Sequence, residues 1–333
     1  MQKFASLHEL YLSTLEEVYR DFAYRHSPRG TAERELVGYS ACLANPIARH
    51  CLHPARKQNI IFNYAEALWY LSGRNDTGFI AYYAPSISRY SADGVSLPGT
   101  GYGRRLLCFG PQGLNQIDRA LDILCNDDPD SKRVVLQIFN AEEDLYRRNI
   151  DVSCTLGLQL LRRQDGLHMV AYLRANDAYV GLLGDIFAFT FLQEYFASVI
   201  GCELGTYSHH VGSIHVYDSN SNAVEALLRQ VNEVPFPQPS PPRMPPGCSP
   251  SHIHHMLLLE ARIRSGALDY AGIEDIDVHG YWREILLLFR LQKALHLKER
   301  IPLEALTGLH PLHLTLVKNR WGQELSALCT GWH

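Results

Sequence analysis

At 333 residues and 37.7 kDa, the chain is long enough for two average domains or for one large α/β domain with an extension. With 46% hydrophobic and 20% charged residues it can bury a sizeable core, which excludes a disordered or fibrous chain. A net charge of −4, from 31 basic against 35 acidic residues and with no long basic run, argues against a dedicated duplex-binding protein. It leaves open a small anionic ligand held by a few arginines.

The opening residues 6–24 predict a helix, with Ser6 and Glu9 as a capping box and Tyr11, Leu15, Val18 and Phe22 on one face. A turn at Ser27-Pro28-Arg29-Gly30 leads to a strand near 35–43, then a helix over 57–72 that Gly73 closes. A third helix is expected at 113–125 and a short strand at 133–139. Residues 155–163 and 167–174 read as a hairpin across Asp165-Gly166. The stretch from Asp177 to Gly201 is apolar on all sides and predicts a central buried helix, followed by strands across 203–218 and a helix near 221–231. Eight of the 17 prolines fall in 235–250, an extended and stiff connection, and from 251 the pattern is helical, at 252–265 and 279–295. This divides the chain into a mixed α/β (α+β) core over 1–235, a proline-rich connection over 236–250 and a helical extension over 251–333 packed on the core.

The apolar runs at Ile285–Phe289 and from Ala178 to Asp185 are far shorter than the roughly 18 residues of a membrane span. Glu9 and Glu16 interrupt any signal-peptide core, so a cytoplasmic protein without membrane contact is expected. The eight cysteines are scattered without a CxxC pair, which fits reduced thiols. His252-Ile253-His254-His255 has no cysteine or carboxylate neighbour and makes a poor zinc signature, so no metal is expected.

Cys154 opens the first hairpin strand, and Arg174 returns at the end of the second, where a guanidinium would favour the reactive thiolate. Cys154-x4-Gln159, then Arg174-x2-Asp177-x3-Gly181, then His215-x-Tyr217 together resemble the thymidylate synthase family. Glu66-Ala67-Leu68-Trp69, Gly101-Tyr102-Gly103 and Asp130-Ser131-Lys132-Arg133 extend the resemblance over roughly 30–235. It implies a synthase-like mixed sheet packed with helices and an enzyme that transfers one carbon from 5,10-methylenetetrahydrofolate to a pyrimidine nucleoside monophosphate. Cys154 would add to C6 of the base. Glu66 would organise water and proton transfer, and Tyr102 would assist proton removal. Arg174 would hold phosphate, together with Lys132 and Arg133 contributed across a homodimer, and either Arg29 or Arg34 would add a further contact. His215 and Tyr217 would bind the sugar 3′-hydroxyl and Asp177 the folate pterin. Gln159 and Asn176 would steady the cysteine and the base.

Four departures resemble the cytidylate hydroxymethylases more than the synthases: Thr155 after the nucleophile, the run Arg174-Ala175-Asn176-Asp177, Asp185 four residues past Gly181, and Ser88 where synthases carry a shielding tryptophan. A carboxyl at 185 can accept from the cytosine amine and, when protonated, donate to N3. Ala175 and Lys132, where the family resemblance places serine and arginine, would loosen the phosphate side and make room for a ribose. The expectation is 5-hydroxymethylation of CMP, as in the hydroxymethylases of mildiomycin-type antibiotic pathways. Deoxycytidylate hydroxymethylation and dUMP methylation are the alternatives within the family. A Cys154–His215 hydrolase and a catalytically idle nucleotide-binding scaffold stand outside it.

Overall fold

A computed structural model of the chain describes residues 1–230 and 239–331. The strands are β1 (Gln2–Phe4), β2 (Tyr24–His26), β3 (Glu33–Leu43), β4 (Val135–Gln137), β5 (Thr155–Arg163), β6 (Gly166–Asp177) and β7 (Leu204–Tyr217). They form one mixed sheet in the order β1-β3-β7-β6-β5-β4, with β2 paired to β3. β5 and β6 are the antiparallel hairpin expected across Asp165-Gly166, whereas β6 and β7 run parallel. A parallel pair needs a crossover. The helix α6 (Gly181–Ile200) supplies it and lies against the sheet.

By length and composition α6 could cross a membrane, yet 78% of its apolar window is buried inside this fold. On one side it packs against the sheet, and on the other against α2 (Ile60–Leu71). The helix α1 (Leu7–Arg20) begins at Ser6, whose hydroxyl accepts the Glu9 N–H at 3.3 Å, and packs against β3 and β7. The opposite face of the sheet is marked by its register. Val135 pairs with Gln159, Gln159 with Val170, and Tyr172 with His210, whose ring stacks on it. Along this face Val135 and Tyr172 are exposed, and Gln159, Val170 and His210 are partly so.

Five further helices, α3 (Thr77–Tyr83), α4 (Tyr102–Leu107), α5 (Gln116–Asp122), α7 (Ser221–Arg229) and α8 (Pro250–Ser265), fill the flanks. The rest of the C-terminal part is α9 (Tyr270–Glu274), α10 (Gly280–Leu297), α11 (Leu303–Thr307) and α12 (Pro311–Leu328). α8, α10 and α12 all contact α2, and their buried residues join the same hydrophobic cluster as the sheet. The Tyr64 hydroxyl lies 2.9 Å from His313 Nε2, a polar tie between α2 and α12. The first part of the proline-rich stretch, up to 238, lies outside the described residues.

The structure corrects one boundary that matters for the site. The central helix starts at Gly181, not Asp177. Asp177 is the last residue of β6, held there by pairing with His215 on β7. Its Oδ1 accepts the backbone N–H groups of Tyr179 and Val180, at 2.8 and 3.1 Å, and so turns the chain into the helix.

Candidate active site

Cys154 stands one residue before β5, and its approach is pinned by Asp151. Asp151 Oδ2 accepts the N–H groups of Gly99 and Thr100, at 2.8 and 3.0 Å. Only glycine fits at 99, since a Cβ there would sit 2.2 Å from the Asp151 carbonyl oxygen. From β6 the Arg174 backbone N–H donates to the Cys154 carbonyl at 2.8 Å. The Arg174 guanidinium donates to the Ser153 and Val152 carbonyls at 2.8 and 3.2 Å, which brings Nη2 to 3.7 Å from Cys154 Sγ. Burial pushes the thiol up, and the adjacent Arg174 charge opposes that by favouring the thiolate.

Thr155, buried next to Cys154, donates its hydroxyl to the Tyr102 hydroxyl oxygen at 3.1 Å. The Tyr102 ring stacks on Tyr70 with centroids 4.9 Å apart, and Tyr70 is hydrogen-bonded to Glu66. Burial, reinforced by the negative charge of Asp185, pushes the Glu66 carboxyl up to about 8. Glu66 Oε2 lies 3.5 Å from where a Cβ on Gly184, the residue before Asp185, would sit. Cys154, Tyr102, Glu66 and Asp185 therefore form one cluster drawn from four separate segments.

Asp185 ends a chain of hydrogen bonds that crosses the sheet. The Tyr207 hydroxyl lies 2.8 Å from His209 Nδ1, and His209 Nε2 lies 3.1 Å from Asn176 Oδ1. Asn176 Nδ2 then donates to Asp185 Oδ2 at 2.6 Å. Burial pushes the His209 imidazole down to about 3, so it is neutral. A neutral ring orders the chain in one direction: Tyr207 donates to Nδ1, Nε2–H donates to Asn176, and Asn176 donates to Asp185. Burial likewise pushes Asp185 up to about 7, against the Asn176 hydrogen bond.

Asp177, His215 and Tyr217 gather at the adjoining strand ends. The His215 and Tyr217 rings meet edge-on with centroids 4.9 Å apart. Burial raises the Asp177 carboxyl. Ala175 lies opposite Ser213 on β7. The structure places the two N-terminal arginines differently. Arg29 occupies the left-handed backbone region (φ 52°) in an exposed turn and reaches the Ile150 carbonyl at 3.4 Å, close enough for its charge to be felt at Cys154. Arg34 points elsewhere, stacked 4.0 Å over the Tyr19 ring and donating to the Tyr19 carbonyl at 2.9 Å.

Gln159 is a correction. It lies five residues along β5 from Cys154, roughly 17 Å at strand rise. Its amide donates to the Lys132 carbonyl at 2.8 Å and accepts from the Tyr172 hydroxyl at 3.3 Å, so it steadies neither the thiol nor the base within this chain. Lys132 and Arg133 are exposed beside it, with Arg133 paired to Asp127. Ser88 is exposed in a short turn of helix at Pro85–Tyr90. Thr155, Tyr70, His209 and Glu33 join the site without having been assigned a role by sequence. Among the described residues the one group with metal-ligand spacing is His26, Glu33 and Glu35, whose ligand atoms lie within 4.8 Å of one another. In the 252–255 segment, His252 Nδ1 lies 2.7 Å from the Ser249 hydroxyl instead.

The family model for thymidylate synthase matches residues 9–284, crossing the proline-rich stretch and running into α10, further than the motifs alone extend. The chain is 31% identical over 218 residues to a deoxyuridylate hydroxymethyltransferase of Bacillus phage SP01, covering 63% of this chain and 56% of the relative. A deoxyuridylate hydroxymethyltransferase of Pseudomonas phage M6 is 33% identical over 224 residues, covering 64% and 62%. A bifunctional dihydrofolate reductase-thymidylate synthase of Paramecium tetraurelia is 30% identical over 173 residues, covering 52% and 32%. The chain thus spans about three-fifths of the length of the phage relatives. With the match running through every segment that builds the Cys154 cluster, the chain belongs to the thymidylate synthase family.

Proposed function

We propose that this protein is a folate-dependent one-carbon transferase that hydroxymethylates C5 of a cytosine nucleotide, converting CMP to 5-hydroxymethyl-CMP. The observation that carries the base assignment is Asp185, a carboxyl held near neutrality by desolvation while Asn176 donates to one of its oxygens. Uracil presents a carbonyl at C4 and an N–H at N3, which an amide matches. Cytosine presents an amine and a bare nitrogen. A protonated Asp185 supplies an acceptor for the amine and a donor for N3, with Asn176 marking Oδ2 as the acceptor oxygen. Mismatched polar edges are rejected strongly in a closed pocket.

The chemistry follows from the cluster. Cys154, eased toward thiolate by Arg174, adds to C6 and breaks the conjugation of the ring, which makes C5 a carbon nucleophile. 5,10-Methylenetetrahydrofolate, when bound, supplies a carbon at the oxidation level of formaldehyde. Asp177 suits its pterin, because Oδ1 already takes two backbone N–H groups and Oδ2 remains an acceptor for ring N–H donors. Glu66, protonated at neutral pH, donates a proton and holds water beside the ring, and Tyr102 stands near the nucleophile to assist loss of the C5 proton. With loss of the C5 proton tetrahydrofolate departs, water adds to the exocyclic methylene left on C5, and expulsion of the Cys154 thiolate from C6 restores the ring and frees the hydroxymethyl product. The exposed Ser88, where a synthase would place a tryptophan, leaves that carbon open to solvent.

Phosphate is held by Arg174 and Arg29. Lys132 and Arg133, too far along the sheet to serve their own Cys154, serve the site of a second copy. The exposed sheet face through Val135 and Tyr172 supports such a twofold dimer. Ala175 and Lys132 leave the phosphate side less rigid and favour ribose.

The phage relatives' names favour dUMP as a second reading. Incubation with methylenetetrahydrofolate and each of CMP, dCMP, UMP and dUMP, with products weighed by mass spectrometry, separates the readings. Hydroxymethyl-CMP is expected. A hydroxymethylated uracil nucleotide would transfer the assignment to the second reading. A methyl product with dihydrofolate would make the protein a synthase.

A further inference from the structure

Two glutamates on β3 stand opposite the sugar-side residues of β7: Glu33 pairs with Tyr217 and Glu35 with His215. Both are buried, with 3% and 8% of their surface exposed. Glu35 is fully engaged, accepting from the Ser213 hydroxyl at one oxygen while the other lies 3.1 Å from His26 Nε2. Glu33 is not. Its Oε1 lies 3.2 Å from the same imidazole nitrogen, but Oε2 is buried without a hydrogen bond. That oxygen is 3.9 Å from His215 Nε2, beyond hydrogen-bond reach, and His215 Nδ1 is also buried without a partner. A buried carboxylate oxygen left open is costly unless something arrives to fill it.

The gap between Glu33 Oε2 and His215 Nε2 asks for a group that donates to a carboxylate and also bonds an imidazole. A hydroxyl does both, at ordinary length to each. Ribose carries two adjacent hydroxyls on one side of the ring. If His215 and Tyr217 engage the 3′-hydroxyl, its 2′ neighbour faces the remaining acceptor. A carboxylate reading a ribose 2′-hydroxyl is established chemistry in dinucleotide-binding folds.

We infer that Glu33 is the residue that reads the ribose 2′-hydroxyl, through its open carboxylate oxygen beside His215, and so selects ribonucleotides over deoxyribonucleotides. This deepens the reading that the substrate is a ribonucleotide and rests on it. Glu33→Gln keeps the shape and removes the charge. The test compares kcat/KM and KM for CMP and dCMP, together with binding of CMP, dCMP, UMP and dUMP by calorimetry. The expected result is a fall of about 30-fold in the ribo-to-deoxy ratio of kcat/KM, carried mainly by KM, with the same direction in the binding ratios. Equal losses for both sugars would reduce Glu33 to a structural residue, and an unchanged ratio would also overturn the inference. The uracil pair reads the sugar whatever base the enzyme prefers, so failure of the cytosine assignment and failure of this inference are separable. A chelator that erases the ribose preference of the wild type would instead make His26, Glu33 and Glu35 cation ligands, and would overturn it. Should Glu33→Gln fold poorly, Glu33→Asp, which draws the carboxylate back by one methylene, is expected to lower the same ratio. An unaltered ratio there would count equally against the proposal.

Discussion

The sides of the site proposed to face the base and the phosphate are built in opposite ways. On the proposed base side, Asp185, Asn176, His209 and Tyr207 are joined in one directed chain of hydrogen bonds, while Glu66 with Tyr70 and Thr155 with Tyr102 form two hydrogen-bonded pairs coupled by the stacking of the Tyr70 and Tyr102 rings. On the proposed phosphate side Arg29, Lys132 and Arg133 are exposed, and Arg174 is braced by two main-chain carbonyls and the Cys154 sulfur. A neutral, patterned edge has to be matched by groups already fixed in place, because each misplaced donor costs a buried unpaired atom. A dianion can gather flexible cations from the surface and a second subunit, since charge attraction tolerates loose geometry. Changes on the base side should therefore alter which substrate reacts. Changes on the phosphate side should alter how tightly any substrate binds.

The largest effect is expected at the sulfur between the two sides. Cys154→Ala should lower turnover by roughly a thousandfold or more, and intact-protein mass spectrometry should lose any nucleotide adduct. Retention of wild-type turnover would remove covalent catalysis from the mechanism.

Next comes Asp185→Asn. The amide supplies a fixed donor and acceptor at every pH and should shift the cytosine-to-uracil ratio of kcat/KM toward uracil by on the order of a hundredfold. Wild-type cytosine turnover should also depend on the Asp185 proton. With its carboxyl raised from 3.8 to about 7, the donor to N3 is present below that pH and lost above it. A falling limb near neutrality in the cytosine profile, absent from the uracil profile of Asp185→Asn, is the expected signature. A cytosine preference unmoved by the substitution would break the base-side half of the comparison.

These two sides were not equally legible in the sequence. The hairpin β5–β6 shows because its pairing is local and Asp165-Gly166 marks the turn. The Cys154–Arg174 contact follows from that hairpin alone. The His209 link to Asn176 does not, because it depends on the parallel pairing of β6 with β7 through the α6 crossover, which leaves no local pattern. The same pairing holds Asp177 in a strand where its neighbours read as helix. Helices of five to seven residues, such as α3, α4, α9 and α11, are too short to show a period. Gln159 misled because a motif preserves order along the chain but carries no information on distance.

A smaller effect concerns stability. Asp185 and Glu66 both hold protons in the folded state that the unfolded chain releases near pH 4. Their raised values mean that folded-state stability falls as pH rises from about 4 through about 8. Asp185→Asn and Glu66→Gln remove that loss. Thermal melts should show each variant gaining on the wild type as pH goes from 5 to 8, and a constant offset across that range would show that neither carboxyl is protonated in the fold.

The smallest effect separates two arginines that the sequence leaves equivalent. Arg29 sits in the left-handed region, which costs a non-glycine residue of order 1 kcal/mol, and its guanidinium has one long bond, 3.4 Å to the Ile150 carbonyl. Little of the fold depends on that side chain. Arg29→Ala should therefore raise KM about tenfold, with the rise shrinking as salt screens the phosphate, while the melting temperature stays within a degree or two. Arg34 is the reverse case. It lies over Tyr19 at 4.0 Å, donates to the Tyr19 carbonyl and stands 3.6 Å from Asp218, so it ties α1 to the end of β7. Arg34→Ala removes about 1–2 kcal/mol of such contacts and should lower the melting temperature by a few degrees, with KM little changed. If the KM effect instead followed Arg34, the phosphate side would be built from braced groups like the base side, and the contrast between them would not hold.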